Sequence, residues 1–274
     1  MPDFEYIKYS KRGFPRNKIN CNRAYSKITM FKKKNILKIG ISDATKLEIL
    51  EYILKGLGNT AKKYFIVTPN PEILMLALKD MYYKKILNSA KLALPDGVGV
   101  MIAGKILNKE LREKITGVDL VESLCRAVEE KPITVGFLGA GLAVAEQTTE
   151  CLKKKLPSLK VVFAASGNPD DKTVALVKDS KKEIDILFVA FGSPKQEIWI
   201  YENLDKLPVK IAIGVGGAFD LISGKIKRAP LWIQKAGFEW LFRLINQPWR
   251  AKRQLALIKF IFLVLKEKFN INNV

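Results

Sequence analysis

The sequence predicts an α/β fold: a mostly parallel sheet covered by helices on both faces, followed by a basic helical appendage. Three observations carry this. Short apolar runs alternate with helix-length runs between about residues 36 and 217. Several apolar runs end in glycine- or proline-containing turns, which lines one edge of the sheet with close-approach loops, where α/β proteins bind ligands. Beyond residue 222 the strand pattern stops and the chain becomes helical and basic.

Residues 1–34 are polar and basic with no visible period, and are expected to be a poorly ordered extension. A strand is expected over 36–41. Asp43 or Thr45 then caps a helix through Leu47, Leu50 and Leu54 that ends at Gly56 or Gly58. The central stretch follows. Strand 64–67 stops at Thr68-Pro69-Asn70-Pro71, because two prolines can continue neither a ladder nor a helix interior. Asn70 suits an N-cap, Pro71 the first helical position, and Glu72 the positive helix end, so a helix runs over 72–78. A short run, 92–94, ends in Pro95-Asp96-Gly97 and brings a carboxylate to a comparable edge.

A helix is expected from Val98 to about Leu107, and another over 121–129 after the segment 114–120. Strand 133–138 ends in Gly139-Ala140-Gly141, and a helix follows from Val144 to Leu156. Strand 161–164, loop 166–171 and helix 173–182 precede the most apolar strand, 184–191. Helix 196–203 and strand 210–214 complete the alternation.

Composition narrows the chemistry. A chain of 274 residues supports a substantial core. A net charge of +20 implies an anionic partner: nucleic acid, an anionic membrane surface or phosphate-rich substrates. There is no histidine, which excludes Ser-His-Asp and Cys-His nucleophilic schemes and imidazole-ligated zinc. General base work falls to Asp, Glu, Lys or Tyr. The three cysteines, Cys21, Cys125 and Cys151, show neither metal spacing nor a disulfide framework, so a reducing cytoplasm is the expected compartment. No signal peptide is visible, and no apolar run reaches the ~20 residues needed to span a bilayer.

Each motif admits a ligand-binding and a plain reading. Asp96 is either an acid at the cleft or a turn residue. Gly139 and Ala140 belong to a turn that either cradles a diphosphate at a helix N-terminus or simply crowds a strand against a helix. In Gly192-Ser193-Pro194-Lys195-Gln196-Glu197, Lys195 and Gln196, at a helix start after Pro194, suit a phosphate and a sugar hydroxyl, or a helix cap. Gly214, Gly216 and Gly217 let backbone approach a ligand, or only turn. No D-x-D pair or carboxylate cluster supports a metal. After residue 222, Arg243, Arg250 and Arg253 interleave with Trp232, Phe238, Trp240 and Trp249, the pattern of a helix lying in a membrane interface.

Eight motifs in register now identify a resemblance. They are Thr68-Pro69-Asn70-x-Glu72, Leu94-Pro95-Asp96-Gly97, Gly117-x-Asp119-Leu120, Phe137-Leu138-Gly139-Ala140, Gly192-x-Pro194-Lys195-Gln196-Glu197, Gly214-Val215-Gly216-Gly217-x-Phe219-Asp220, Gly224-x-x-x-Arg228-Ala229-Pro230 and Glu239-Trp240-Leu241-x-Arg243. Together they resemble the WecG/TagA/CpsF glycosyltransferase family, from about Ile36 to about Lys259. The resemblance implies a Rossmann-like domain that moves a sugar from a UDP-sugar donor to an undecaprenyl-diphosphate-linked acceptor. In the teichoic-acid branch the donor is UDP-N-acetylmannosamine and the acceptor sugar N-acetylglucosamine; a uronic acid or another UDP-sugar is the alternative within the family.

The resemblance further implies an inverting transfer with no metal and no cofactor. Asp96 matches the family's base, Thr68 and Asn70 its neighbours, and Gln196 a polar position near the sugar. Arg243, Arg250 and Arg253 match a basic tail that acts as lid and membrane contact. Lys114 stands where the family usually carries arginine; it keeps the charge but not the bidentate fork, and Arg112 is a second candidate cation.

The expected organisation is thus an extension over 1–34, a Rossmann-like catalytic domain over 35–221 and a membrane-associating helical appendage over 222–274. The expected place is the cytoplasm, peripherally on the inner face of the bacterial membrane. Nucleic acid is set aside as a partner because no motif for it is present, and a homo-oligomer is left open. The alternative of another class is a non-enzymatic basic protein that binds nucleic acid or lipid.

Overall fold

The computed structural model describes residues 31–58, 63–235, 237–246 and 251–269. The basic extension before residue 31 lies outside the described residues, as does Arg250. The described chain from Phe31 onward forms one compact unit.

Its centre is a six-stranded sheet in the order β4-β3-β8-β7-β5-β6. The strands are β3 (Tyr64–Val67), β4 (Leu92–Ala93), β5 (Val135–Gly139), β6 (Val161–Ala165), β7 (Ile184–Ala190) and β8 (Val209–Gly214). Every neighbouring pair is parallel. β7 is buried at all seven positions, as expected of a central strand covered on both faces. Alternate side chains feed two cores. Phe65 and Val67 enter the one that holds Leu74, Tyr83 and Phe260, whereas Ile66 enters the one that holds Phe137, Phe188 and Phe219.

The first strand departs from expectation. In place of a single strand over 36–41 the chain makes an antiparallel hairpin, β1 (Lys33–Ile36) with β2 (Ile39–Ser42). Leu37 and Lys38 form its turn, with φ of 48° and 64°. Two left-handed residues match the hairpin's twist, but neither is the Asn or Gly that would announce such a turn. β1 also begins at Lys33, inside the stretch expected to be poorly ordered.

The helices follow their caps. In α1 (Lys46–Leu57) Thr45 and Glu48 form a reciprocal capping box. Asn70 accepts from the Ile73 amide at 3.0 Å and Pro71 opens α2 (Pro71–Lys79), as expected. Asp80 ends α2 and caps α3 (Met81–Ser89), a helix that lies beyond the 72–78 expected from the sequence and was not assigned there. α4 (Val98–Ile106) follows the Asp96 turn. α5 (Gly117–Val128) starts four residues before the expected 121, because Thr116 caps it. α6 (Val144–Lys155), α7 (Asp171–Asp179), α8 (Lys195–Asn203) and α9 (Ala218–Ile222) complete the alternation.

The remaining described helices are α10 (Leu231–Lys235), α11 (Glu239–Asn246) and α12 (Ala251–Lys268). α12 packs across α2 and α4. Phe260 and Val264 on α12 are fully buried in the core beneath. The Glu267 carboxylate accepts from the Leu37 amide at 2.9 Å and pairs with Lys109 at 3.0 Å, which ties the end of α12 to the first hairpin.

Candidate active site

A cavity of about 490 Å³ opens at the carboxyl ends of β3, β4, β7 and β8. Each of these strands contributes its following turn: Thr68, Asp96, Ser193 and Gly216 respectively. Trp240 of α11 and Leu257, Phe260 and Ile261 of α12 close it from the far end of the chain. Its walls are therefore polar at the sheet and apolar at the tail.

The acid-bearing turn is held against the Thr68-Pro69-Asn70 turn. The Leu94 amide donates to the Val67 carbonyl at 2.8 Å, and the Asp96 amide to the Pro69 carbonyl at 3.0 Å. The buried Thr68 hydroxyl donates to the Gly214 carbonyl at 3.0 Å and so locks β3 to β8 at the cavity edge. Lys114 reaches the cavity because the Ile115 amide donates to the Pro95 carbonyl at 2.9 Å. Among the described residues Lys114 has no carboxylate within ion-pair distance.

A buried polar network lies under the β7 turn. Gln196 Oε1 accepts from the Gly192 amide at 3.1 Å and the Gly216 amide at 3.0 Å, which joins two cavity loops. Its Nε2 donates to Glu197 Oε1 at 2.7 Å. The Ser193 hydroxyl reaches the same oxygen at 2.8 Å, and the Tyr83 hydroxyl lies 3.0 Å from Glu197 Oε2. Burial raises the Glu197 carboxyl above the usual carboxylate range, against the pull of the hydrogen bonds from Gln196, Ser193 and Tyr83. Burial, and then the neighbouring Glu197, also raise the Tyr83 phenol.

A second network anchors the tail. Arg228 pairs with Asp119 at 2.6 Å and approaches Glu122 at 3.8 Å and Glu239 at 3.9 Å. Thr116 donates to the other Asp119 oxygen at 2.7 Å. Burial opposes the charged form of Asp119, but Arg228 and Thr116 outweigh it and hold the carboxyl below its usual range. Glu239 itself lines the cavity, so this cluster sets where α11 enters the wall.

Of the residues singled out in the sequence, Thr68, Asn70, Asp96, Lys114, Gln196, Gly216 and Gly217 line the cavity. Gly214 contributes its carbonyl to Thr68 and sits against the Gln196 side chain. Gly139, Ala140, Pro194 and Lys195 are not part of the lining. Gly139 ends β5 and Ala140 follows it, and β7 separates that strand from β8; Gly139, at φ 103°, leaves no room for a Cβ beside Phe191. Lys195 is exposed and faces a second, shallow groove with Asp170 and Lys206, because one step along a helix rotates it away from Gln196.

Arg112 is also away from the cavity, engaged by Glu48 at 2.8 Å and by Asp43. Arg243 lies on α11 and Arg253 on α12, but their side chains, like all of Arg250, lie outside the described residues.

Sequence reasoning missed Ser193, Glu197 and Tyr83. Ser193 stands before α8 and Glu197 in its first turn, so the hydroxyl meets the carboxyl across the helix start. Tyr83 comes from 114 positions away, and no local signal points to it. Among the described residues no group of three or more Cys, Asp and Glu side chains is placed to hold a metal, and no helix is long and apolar enough to cross a membrane.

The family model for the glycosyl transferase WecG/TagA/CpsF family matches residues 34–274. The chain belongs to this family. Three curated proteins similar to this member carry the name N-acetylglucosaminyldiphosphoundecaprenol N-acetyl-beta-D-mannosaminyltransferase. The one from Bacillus subtilis is 36% identical over 205 residues, covering 75% of this chain and 80% of its own. That of Bacillus spizizenii is 37% identical over 207 residues, covering 76% and 80%. That of Staphylococcus aureus is 30% identical over 238 residues, covering 86% and 93%. The span matched by the family model, residues 34–274, contains all the cavity-forming turns of this glycosyltransferase.

Proposed function

We propose that this glycosyltransferase moves N-acetylmannosamine from UDP-N-acetylmannosamine to undecaprenyl-diphosphate-linked N-acetylglucosamine, with inversion and without a metal, in cell-wall polymer synthesis. The observation that carries the reading is the Asp96 turn, hydrogen-bonded to the Thr68–Asn70 edge inside a cavity sized for a sugar nucleotide. The names of the similar proteins supply the sugar and the lipid acceptor.

In this reading Asp96 takes the proton of the attacking hydroxyl as its oxygen bonds to the anomeric carbon of the donor sugar. The bond from that carbon to the UDP oxygen breaks, and the electron pair leaves with the diphosphate. Lys114, with Arg243, Arg250 and Arg253 of the tail, offsets the charge that develops there, the task that a metal would otherwise perform. Asn70 and Gln196 orient the sugars from the polar wall.

The lipid acceptor requires docking at an anionic membrane. Trp232, Phe238, Ile258, Phe262 and Phe269 are exposed on α10, α12 and the adjoining loops, amid lysines, and suit an interfacial contact on the cytoplasmic leaflet. Because α12 also walls the cavity, docking and enclosure of substrate share that element. The test is release of UDP from UDP-N-acetylmannosamine, dependent on a polyprenyl-diphosphate acceptor, with sedimentation on anionic vesicles as the second measurement. No turnover with any UDP-sugar, together with binding to nucleic acid instead of vesicles, overturns the reading.

A further inference from the structure

The hydrogen-bond polarity of the cavity wall follows from one fixed point. Backbone amides only donate, so the two that meet Gln196 Oε1 define that atom as the carbonyl oxygen. The Gln196 nitrogen is therefore Nε2, the atom 2.7 Å from Glu197 Oε1. An amide nitrogen has no acceptor capacity, so Glu197 Oε1 accepts, whether the carboxyl is ionised or neutral. A proton on neutral Glu197 belongs on Oε2, facing the Tyr83 hydroxyl.

Ser193 meets the same Oε1 at 2.8 Å, and an accepting oxygen leaves its hydroxyl only the donor role. Its single proton is thus committed to Glu197, one lone pair faces the Tyr83 hydroxyl, and toward the cavity it lines Ser193 has only its remaining lone pair to present. Thr68 is in the same state, since its proton goes to the Gly214 carbonyl, which can only accept. Two hydroxyls on one wall are acceptors toward any ligand. Phosphate and carboxylate oxygens carry no proton to offer them; sugar hydroxyls and acetamido N–H groups do.

We propose that Ser193 is a specificity-determining residue that accepts a hydrogen bond from an O–H or N–H of a bound sugar. Glu197 is the positioning residue that keeps it in the accepting state. This rests on the sugar-transfer reading above and deepens it, because it assigns the polar wall to the glycan and leaves the diphosphate to the cationic side at Lys114.

The experiment measures kcat/KM of wild type and Ser193→Ala on the parent substrates and on analogues that each lack one hydroxyl or the acetamido group. One series varies the transferred sugar and the other the receiving sugar, which identifies the sugar that Ser193 reads. Ser193→Ala lowers kcat/KM about tenfold on the parent, the scale of one hydrogen bond. For the single analogue that lacks the recognised group, the variant and wild type become equal; for every other analogue the tenfold gap persists. Glu197→Leu reproduces the Ser193→Ala pattern, and Glu197→Gln, which keeps an accepting oxygen and a donor toward Tyr83, restores discrimination.

A gap that is the same for all analogues in both series means a structural role and overturns the proposal, as does the absence of any gap. If Glu197→Leu fails to fold, judged by its melting curve, the Ser193→Ala series decides alone. Failure of the wild type to release UDP sinks the reaction and not the polarity assignment. Calorimetric binding of parent and deoxy sugars to wild type and Ser193→Ala then gives the same comparison.

Discussion

The backbone amide of Asp96 donates to the carbonyl of Pro69 across 3.0 Å, so the carboxylate-bearing turn is an extension of the ladder that pairs β3 with β4. A side chain placed by backbone pairing stays in register when its own chemistry is altered. Asp96→Asn is therefore expected to fold normally and to bind UDP as wild type does. Its turnover should fall by roughly 10²–10⁴, the range for loss of a general base. Initial rates of UDP release and calorimetric titration with UDP measure the two halves; undiminished turnover would reassign the base.

Arg228 is the pin between α5 and α11. Arg228→Met strands Asp119 in a half-buried site, and the expected loss is roughly 1–3 kcal/mol at neutral pH. The pH dependence has a definite sign. Asp119 is held below its usual range, so its contribution is complete above the unfolded value of about 3.9 and is lost as pH falls through the folded one. The difference in stability between wild type and Arg228→Met should shrink below about pH 4. Denaturant midpoints at pH 7 and pH 3.5 check it.

Glu197 has the opposite sign. Burial raises its carboxyl, so the folded chain keeps a proton that the unfolded chain releases near pH 4.3. Stability then declines as pH rises from about 4.3 toward the folded value, by up to about 1.4 kcal/mol for each pH unit inside that window. Glu197→Gln has no proton to lose and should show a flatter profile. Melting temperatures of both proteins across pH 4–8 decide this; parallel curves would mean that Glu197 titrates as an exposed acid does.

Phe260 is fully buried between α12 and the core and also lines the cavity. Phe260→Ala should cost about 3–5 kcal/mol of the docking of α12. Hydrogen exchange should rise along α12 and at the Leu37 amide, which α12 holds through Glu267, and remain slow in β7. Uniform acceleration across the sheet would show that α12 does not open as a separate unit.

The parts of the fold governed by local chemistry were legible. Asn70 and Pro71 announce α2, the strongly apolar run announces β7, and the order of strands and helices follows from their alternation. Thr68, Asp96 and Gln196 were legible as residues at the ligand-facing edge because each lies in, or just beyond, the turn that follows a strand, where the parallel sheet gathers its loops. The hairpin at Leu37 and Lys38 was not, because no residue there favours a left-handed turn by itself. Lys195 looked like Gln196 in the sequence, and only the helical rotation separates them. Arg112 looked available until Asp43 and Glu48, more than sixty positions away, were seen to occupy it.

The apolar wall of the cavity comes from Leu257, Phe260 and Ile261 of α12, well beyond β8, the last strand of the sheet in chain order. A chain emerging from the ribosome can complete the sheet, with its acid and its threonine already adjacent, while that wall is still inside the exit tunnel. Enclosure of the cavity thus has to wait for α12, and a polypeptide cut short before it would present the polar turns with no apolar wall over them.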